Sequence, residues 1–204
     1  VSESLNSTDA SALRDETVDL PIVSSERVYE GRIWDVRSDT VQYRDSEIVR
    51  QYVDHPGAAA IVALDDHDRV LLIQQYRHPI RRRDWEIPAG LLDVVGESPL
   101  QSAQRELAEE ADLTASEWEP LVSVFTTPGG NDEVVHIFLA RGLTANGDAH
   151  ARADEEADIR IEWVALSDAV TAVMDGRMRN GILATGVLAA AEVLRRQNAS
   201  PTQD

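Results

Sequence analysis

A mixed α/β fold follows from three features of the chain: apolar runs of strand length, one amphipathic helix with a full N-terminal capping pattern, and an Ala/Leu-rich helix near the C-terminus. Taken in order, residues 1 to 20 are rich in Ser, Asp and Glu and read as a disordered acidic tail. Residues 21 to 55 hold short β-like pieces: Ser25–Tyr29, Ile33–Ser38, Thr40–Tyr43 and Glu47–Val53. Ala58–Leu64 and Val70–Tyr76 are near-continuous apolar runs. They read as buried strands joined by the polar turn Asp65 to Asp68. Leu121–Thr126, Val134–Ala140 and Ile159–Ala165 are further strands. Ser167 is placed to cap a helix through Met174, Ile182–Gln197 forms the long helix, and residues 198 to 204 are a flexible tail.

The helix after Ser98 carries the strongest signals. Ser98 suits the N-cap, Pro99 the first helical position, and Gln101 completes a capping box. Leu100, Ala103, Leu107 and Ala111 recur at helical spacing and form an apolar stripe. Glu106, Glu109 and Glu110 fall on one face beside it. Like charges at those spacings cost a few tenths of a kcal/mol, roughly, per pair. A surface helix gains nothing from such an arrangement, so something cationic belongs between them. Arg105 precedes Glu109 by four residues, the weaker orientation for a helix ion pair. A hard divalent cation, Mg²⁺ above all, is the ordinary partner of clustered carboxylates, and it commonly shares a substrate phosphate.

Composition narrows the class. The chain has 204 residues, enough for one sizeable core with an appended arm. It has no cysteine, which excludes disulfides, thiolate metal sites and a cysteine nucleophile, and fits a reducing, cytoplasmic compartment. No apolar run approaches the roughly 18 residues of a membrane span, and the acidic N-terminus lacks the basic start and apolar centre of a signal peptide. A net charge of −18 disfavours nucleic acid and anionic membranes as partners. A polyanionic small molecule stays open to such a protein where metal and a few arginines reverse the field.

The run from Gly90 through Glu97 and Arg105-Glu106-Leu107-Ala108-Glu109-Glu110 to Leu113 resembles the signature of the Nudix hydrolases. That signature is Gly, five residues, Glu, seven residues, then Arg-Glu-apolar-any-Glu-Glu-any-Gly-apolar. Two departures stand out. Six residues separate Gly90 from Glu97, and Asp112 takes the usual glycine position at the helix C-terminus. Neither removes a carboxylate. His55-Pro56-Gly57-Ala58, Gln75-Tyr76-Arg77, Glu86-Ile87-Pro88-Ala89-Gly90 and Pro128, 15 residues after Leu113, are similar to the ADP-ribose pyrophosphatase branch of that family.

The resemblance implies an α/β/α sandwich around a mixed sheet, with an N-terminal β-rich arm before a catalytic domain over residues 56 to 197. It implies Mg²⁺-dependent hydrolysis of ADP-ribose to AMP and ribose 5-phosphate, with Mn²⁺ as a possible substitute. Glu106, Glu109, Glu110 and the Ala89 carbonyl become the metal ligands, and Arg105 orients Glu97 or a ligating glutamate. The general base falls in the acidic run Asp154–Asp158, with Glu156 first and Glu155 second; a solvated charged loop is the competing reading. Arg77, Arg50 and His55 match phosphate or ribose contacts, and Pro128, Gly129 and Glu133 form a turn that approaches the ligand. Trp34 stacks on adenine or serves as a core or interface aromatic. Glu86 bonds the base or ribose, or closes a strand end. Arg81, Arg82 and Arg83 read chiefly as surface.

Residues 22 to 54 provide too few strands to be stable alone. In the resembling branch such arms exchange between subunits, which implies a homodimer with Trp34 or Arg50 reaching the neighbour's pocket. Two other functions compete: a pyrophosphatase for another nucleoside diphosphate sugar, a dinucleotide or a capped RNA end, and a non-catalytic ADP-ribose sensor. A sensor of that kind loses box glutamates and carries a DNA-binding appendage, whereas this chain keeps the glutamates.

Overall fold

The computed structural model describes residues 13–147 and 158–199. Three helices and ten strands appear among them, in the order β1 (Ile22–Tyr29), β2 (Asp35–Tyr43), β3 (Ser46–Asp54), β4 (Ala58–Ala63), β5 (Arg69–Arg77), β6 (Arg82–Glu86), β7 (Ala89–Leu91), α1 (Pro99–Ala111), β8 (Leu113–Phe125), β9 (Val134–Ala145), β10 (Arg160–Ala165), α2 (Leu166–Met174) and α3 (Gly181–Ala199). They build three sheets. A mixed sheet has the order β7-β4-β9-β8, with β4 and β9 parallel. An antiparallel sheet has the order β10-β5-β6, and the arm forms an antiparallel meander β1-β2-β3.

The period-two geometry of strands divides the interior into two cores. On β4, Ala59, Ile61 and Ala63 face α1, while Ala58, Ala60, Val62 and Leu64 face α2 and α3. On β5, Leu71 and Ile73 join the first core and Val70 and Leu72 the second. On β9, Phe138 and Ala140 join the first and Val135, Ile137 and Leu139 the second. Strands covered on both faces must be apolar at every position, which explains the unbroken runs in the sequence. The result is the expected α/β/α sandwich. Gly186 lets α3 lie close to the sheet, since a Cβ there would stand 2.9 Å from Val62 Cγ2 and 3.0 Å from Ile87 Cδ1.

Several elements differ from the sequence expectations. The pieces expected at Ile33–Ser38 and Thr40–Tyr43 fall in one strand, β2, which starts only at Asp35 and runs on because Asp39 continues the ladder opposite Arg50. The turn Asp65 to Asp68 joins β4 to β5 as expected, and beyond the single bridge Leu64–Val70 the two strands diverge into different sheets. β6 and β7 were not expected, and β8 begins directly after α1 rather than at Leu121. Ser167 is not the cap of α2: Ala165 holds that position without a side-chain bond, and Ser167 lies inside the helix. α3 instead has a cap that patterning missed, Asn180, whose Oδ1 accepts from Leu183 N at 3.0 Å.

Candidate active site

Every capping feature expected of α1 is present, and it fixes where the glutamates go. Ser98 Oγ accepts from Gln101 N while the Gln101 side chain accepts from Ser98 N, and Pro99 starts the helix. Asp112 ends it in the left-handed region at φ 54°, the conformation that the usual glycine would supply without strain. Ala103 and Leu107 are fully buried, and Ser102 Oγ donates to Leu91 O, docking α1 against β7. The extra residue before Glu97 is absorbed in the turn Val94–Glu97, where Gly96 takes φ 85° and Glu97 N donates to Val94 O.

Three carboxylates gather around one guanidinium, and a fourth, Glu110, follows on the same helix. Nε and Nη2 of Arg105 fork onto the two oxygens of Glu97 at 3.1 and 3.2 Å, while Nη1 reaches Glu106 and lies 3.0 Å from Glu109 Oε2. The Glu97 hydrogen bonds, reinforced by Glu106 and Glu109 against the effect of burial, raise the already high pKa of Arg105 further. It is therefore a fixed cation. Glu110 is buried and accepts from Ala89 N at 2.9 Å. A side chain on Gly90 would collide with Glu106, its Cβ falling 1.9 Å from Oε1, so glycine there makes room for that carboxylate.

As they stand, no three acidic or histidine side chains among the described residues form a metal-holding group. Arg105 lies between Glu97, Glu106 and Glu109 and offsets part of their repulsion. The donor set nonetheless fits a hard divalent cation, being all oxygen with carboxylates in excess over the single guanidinium.

Beside the cluster lies a cleft of about 400 Å³ with Arg77, Glu86 and Ala89 on one wall and residues 179 to 182 on the other. Arg77 and Glu86 form a bidentate pair, both bonds 2.7 Å, and Gln75 Nε2 also donates to Glu86. An adjoining hollow of about 520 Å³ shares residues 180 to 182 and adds Thr126, Thr127 and Glu133. Glu133 accepts from Thr126 Oγ1 at 2.6 Å and lies 3.6 Å from His55 Nδ1, which itself accepts from Gly57 N. Pro128 and Gly129 form the exposed turn above it. A cavity of about 570 Å³ between Trp85, Arg160, Glu162, Asp168 and Arg177 shares no lining residue with that cleft, which is tied to the glutamates through the bond from Ala89 N to Glu110.

Trp34 and Arg50 are not brought to this cleft within one chain. Trp34 is 44% exposed in a separate hollow with Tyr29 and Ile33, and Arg50 Nη1 bonds its neighbour's carbonyl, Val49 O. Arg81 and Arg82 are exposed, and Arg83 pairs with Asp158 at 3.5 Å. Glu155 and Glu156 lie outside the described residues. Sequence reading missed Arg179, Asn180 and Thr126 as cleft residues; the Asn-Gly pair opening an apolar helix was the signal available for Asn180.

Comparison with known proteins converges on one family. The NUDIX domain matches residues 54–183. The chain is 45% identical over 176 residues to a protein of Mycobacterium tuberculosis named ADP-ribose pyrophosphatase, covering 86% of this chain and 84% of that one. It is 34% identical over 152 residues to the ADP-ribose pyrophosphatase of Bacillus subtilis, covering 74% and 81%. It is 31% identical over 178 residues to the methanol dehydrogenase activator of Bacillus methanolicus, covering 86% and 95%. A crystal structure of an ADP compounds hydrolase superposes with a TM-score of 0.75 at 21% identity, covering 92% of this chain and all of the other.

Proposed function

This chain belongs to the NUDIX family, and from that premise we propose that it is a hydrolase that cleaves the pyrophosphate bond of ADP-ribose, yielding AMP and ribose 5-phosphate. One observation carries the reading: Glu97, Glu106 and Glu109 surround a single guanidinium, and Glu110 beside them on α1 accepts from the N–H of Ala89, which lines a cleft of about 400 Å³. The two pyrophosphatase relatives support the choice of substrate.

A divalent ion, Mg²⁺ with Mn²⁺ as substitute, would be held by Glu106, Glu109, Glu110 and the Ala89 carbonyl, where it would neutralise diphosphate charge and activate water. Glu110 comes pre-oriented by the Ala89 N–H. Arg105 stays anchored through its fork on Glu97, while its third nitrogen gives up Glu106 and Glu109. Water attacks one phosphorus, its proton passes to Glu156 or Glu155, and the bridging P–O bond breaks with the electrons leaving on the second phosphate. Arg77 stands at the cleft wall with its fork engaged by Glu86, and would have to give up part of that pair to bond a phosphate. The test is turnover of a panel of nucleoside diphosphate derivatives with Mg²⁺ in ¹⁸O-labelled water. ADP-ribose should give AMP and ribose 5-phosphate with the label in one of them. No turnover of ADP-ribose contradicts the reading.

The working form is a homodimer joined through the arm. Ile22, Val23, Val28, Ile33, Trp34 and Val49 are all exposed on or beside a three-stranded sheet, a poor arrangement for an isolated arm. A second copy would bring Trp34 or Arg50 to the cleft.

A further inference from the structure

We propose that Arg179, in the turn between α2 and α3, is a binding residue for the diphosphate of the substrate; this rests on the ADP-ribose reading and deepens it. The chain has no lysine and 19 arginines, so a permanently charged side-chain cation for the diphosphate is a guanidinium. Two arginines line the cleft beside the carboxylate cluster, Arg77 and Arg179. The fork of Arg77 is engaged bidentately by the buried Glu86, which offsets its charge. Arg105 is surrounded by Glu97, Glu106 and Glu109.

Arg179 differs from both. It makes no ion pair among the described residues, as is also true of Arg50, Arg81 and Arg82, but unlike those it lines the cleft. Asp84, on the same cleft, accepts from Asn180 Nδ2 at 3.2 Å instead. The guanidinium is nevertheless positioned, because its Nε donates to Gly176 O at 2.9 Å. That single bond fixes the plane at Nε and leaves the two terminal nitrogens for a ligand. A planar fork already oriented, without a carboxylate to displace, is the arrangement that suits a doubly anionic diphosphate. Across the cleft stands Ala89, whose N–H holds Glu110, so a diphosphate seated at Arg179 would have the glutamate cluster on its other side.

The probe is α,β-methylene ADP-ribose, titrated into the full-length protein by calorimetry, with Mg²⁺ and again in EDTA. Arg179→Ala should weaken the analogue by about tenfold to a hundredfold in both conditions, the range of a hydrogen bond to a charged group. Arg179→Lys, which keeps the charge and loses the fork, should fall between. Adenosine, which lacks phosphate, should bind both variants as it binds the wild type. In turnover the loss should fall on KM, with kcat nearly unchanged and the melting temperature preserved. An unchanged affinity of Arg179→Ala for the analogue overturns the assignment while leaving ADP-ribose hydrolysis standing. Equal losses for the analogue and for adenosine also overturn it, since the residue would then only shape the cleft. A wild type that neither binds the analogue nor turns over ADP-ribose removes the reading beneath it.

Discussion

Gly90 acts by what it lacks. Its Cβ position is occupied by the Glu106 carboxylate, which fills the space to 1.9 Å. In Gly90→Ala the flexible Glu106 side chain must swing aside, so stability should change little while turnover falls at least tenfold. Parallel denaturant melts and steady-state assays check this; normal turnover would show that the position of Glu106 is immaterial. The glutamates, Arg105 and Gly90 were legible in the sequence because they share one short segment whose periodicity is unambiguous. The pairing of Arg77 with Glu86 was not, because it depends on the antiparallel register that sets β6 beside β5. Arg179 was invisible for a related reason: an arginine in a turn carries no periodic signal, and only the packing of α3 brings it to the cleft.

Among the elements, α1 was readable to the residue, from its capping box to the left-handed Asp112, because helix ends are decided by local chemistry. Strands β6 and the first half of β8 were not, since both are charged or half-exposed and lack the apolar run of a doubly covered strand. The turn between β4 and β5 shows how one side chain can organise a connection. Asp65 accepts from His67 N, Arg69 N and Arg69 Nε. Burial opposes its ionisation, but the Arg69 and His67 hydrogen bonds outweigh it and hold the carboxyl below its usual pKa. A depressed folded pKa means that the stabilisation is complete above about pH 4 and fades as pH falls through the folded value. Asp65→Ala should therefore cost about 1 kcal/mol near neutral pH, with the gap to wild type closing on acidification. Urea melts at pH 7 and pH 3 test this. A gap of equal size at both would assign the loss to packing instead.

At the scale of the molecule, the two cores on either face of β4, β5 and β9 bury the apolar side chains of the body, whereas the arm leaves Ile22, Val23, Val28 and Val49 exposed. It is tied to the body near its base, through Val53 N to Gly130 O, Asp132 N to Val53 O and His55 N to Asp132 Oδ1. These bonds join the arm to the turn that leads to Glu133, so pairing of two arms would bear on the hollow that Glu133 lines. Sedimentation equilibrium at micromolar concentration should return a dimer, and a monomer would contradict the assembly. The mixed α/β class was legible from strand-length apolar runs, but the separation of β4 from β5 into different sheets was not, because a polar turn of that length is equally compatible with a hairpin.

The most direct measurement is anomalous diffraction from crystals soaked with Mn²⁺ and α,β-methylene ADP-ribose. The expected map places manganese against Glu106, Glu109 and Glu110 with a diphosphate oxygen beside it, and Arg105 withdrawn onto Glu97. Manganese absent from those side chains while the analogue is bound, with Arg105 still bridging them, would contradict the account.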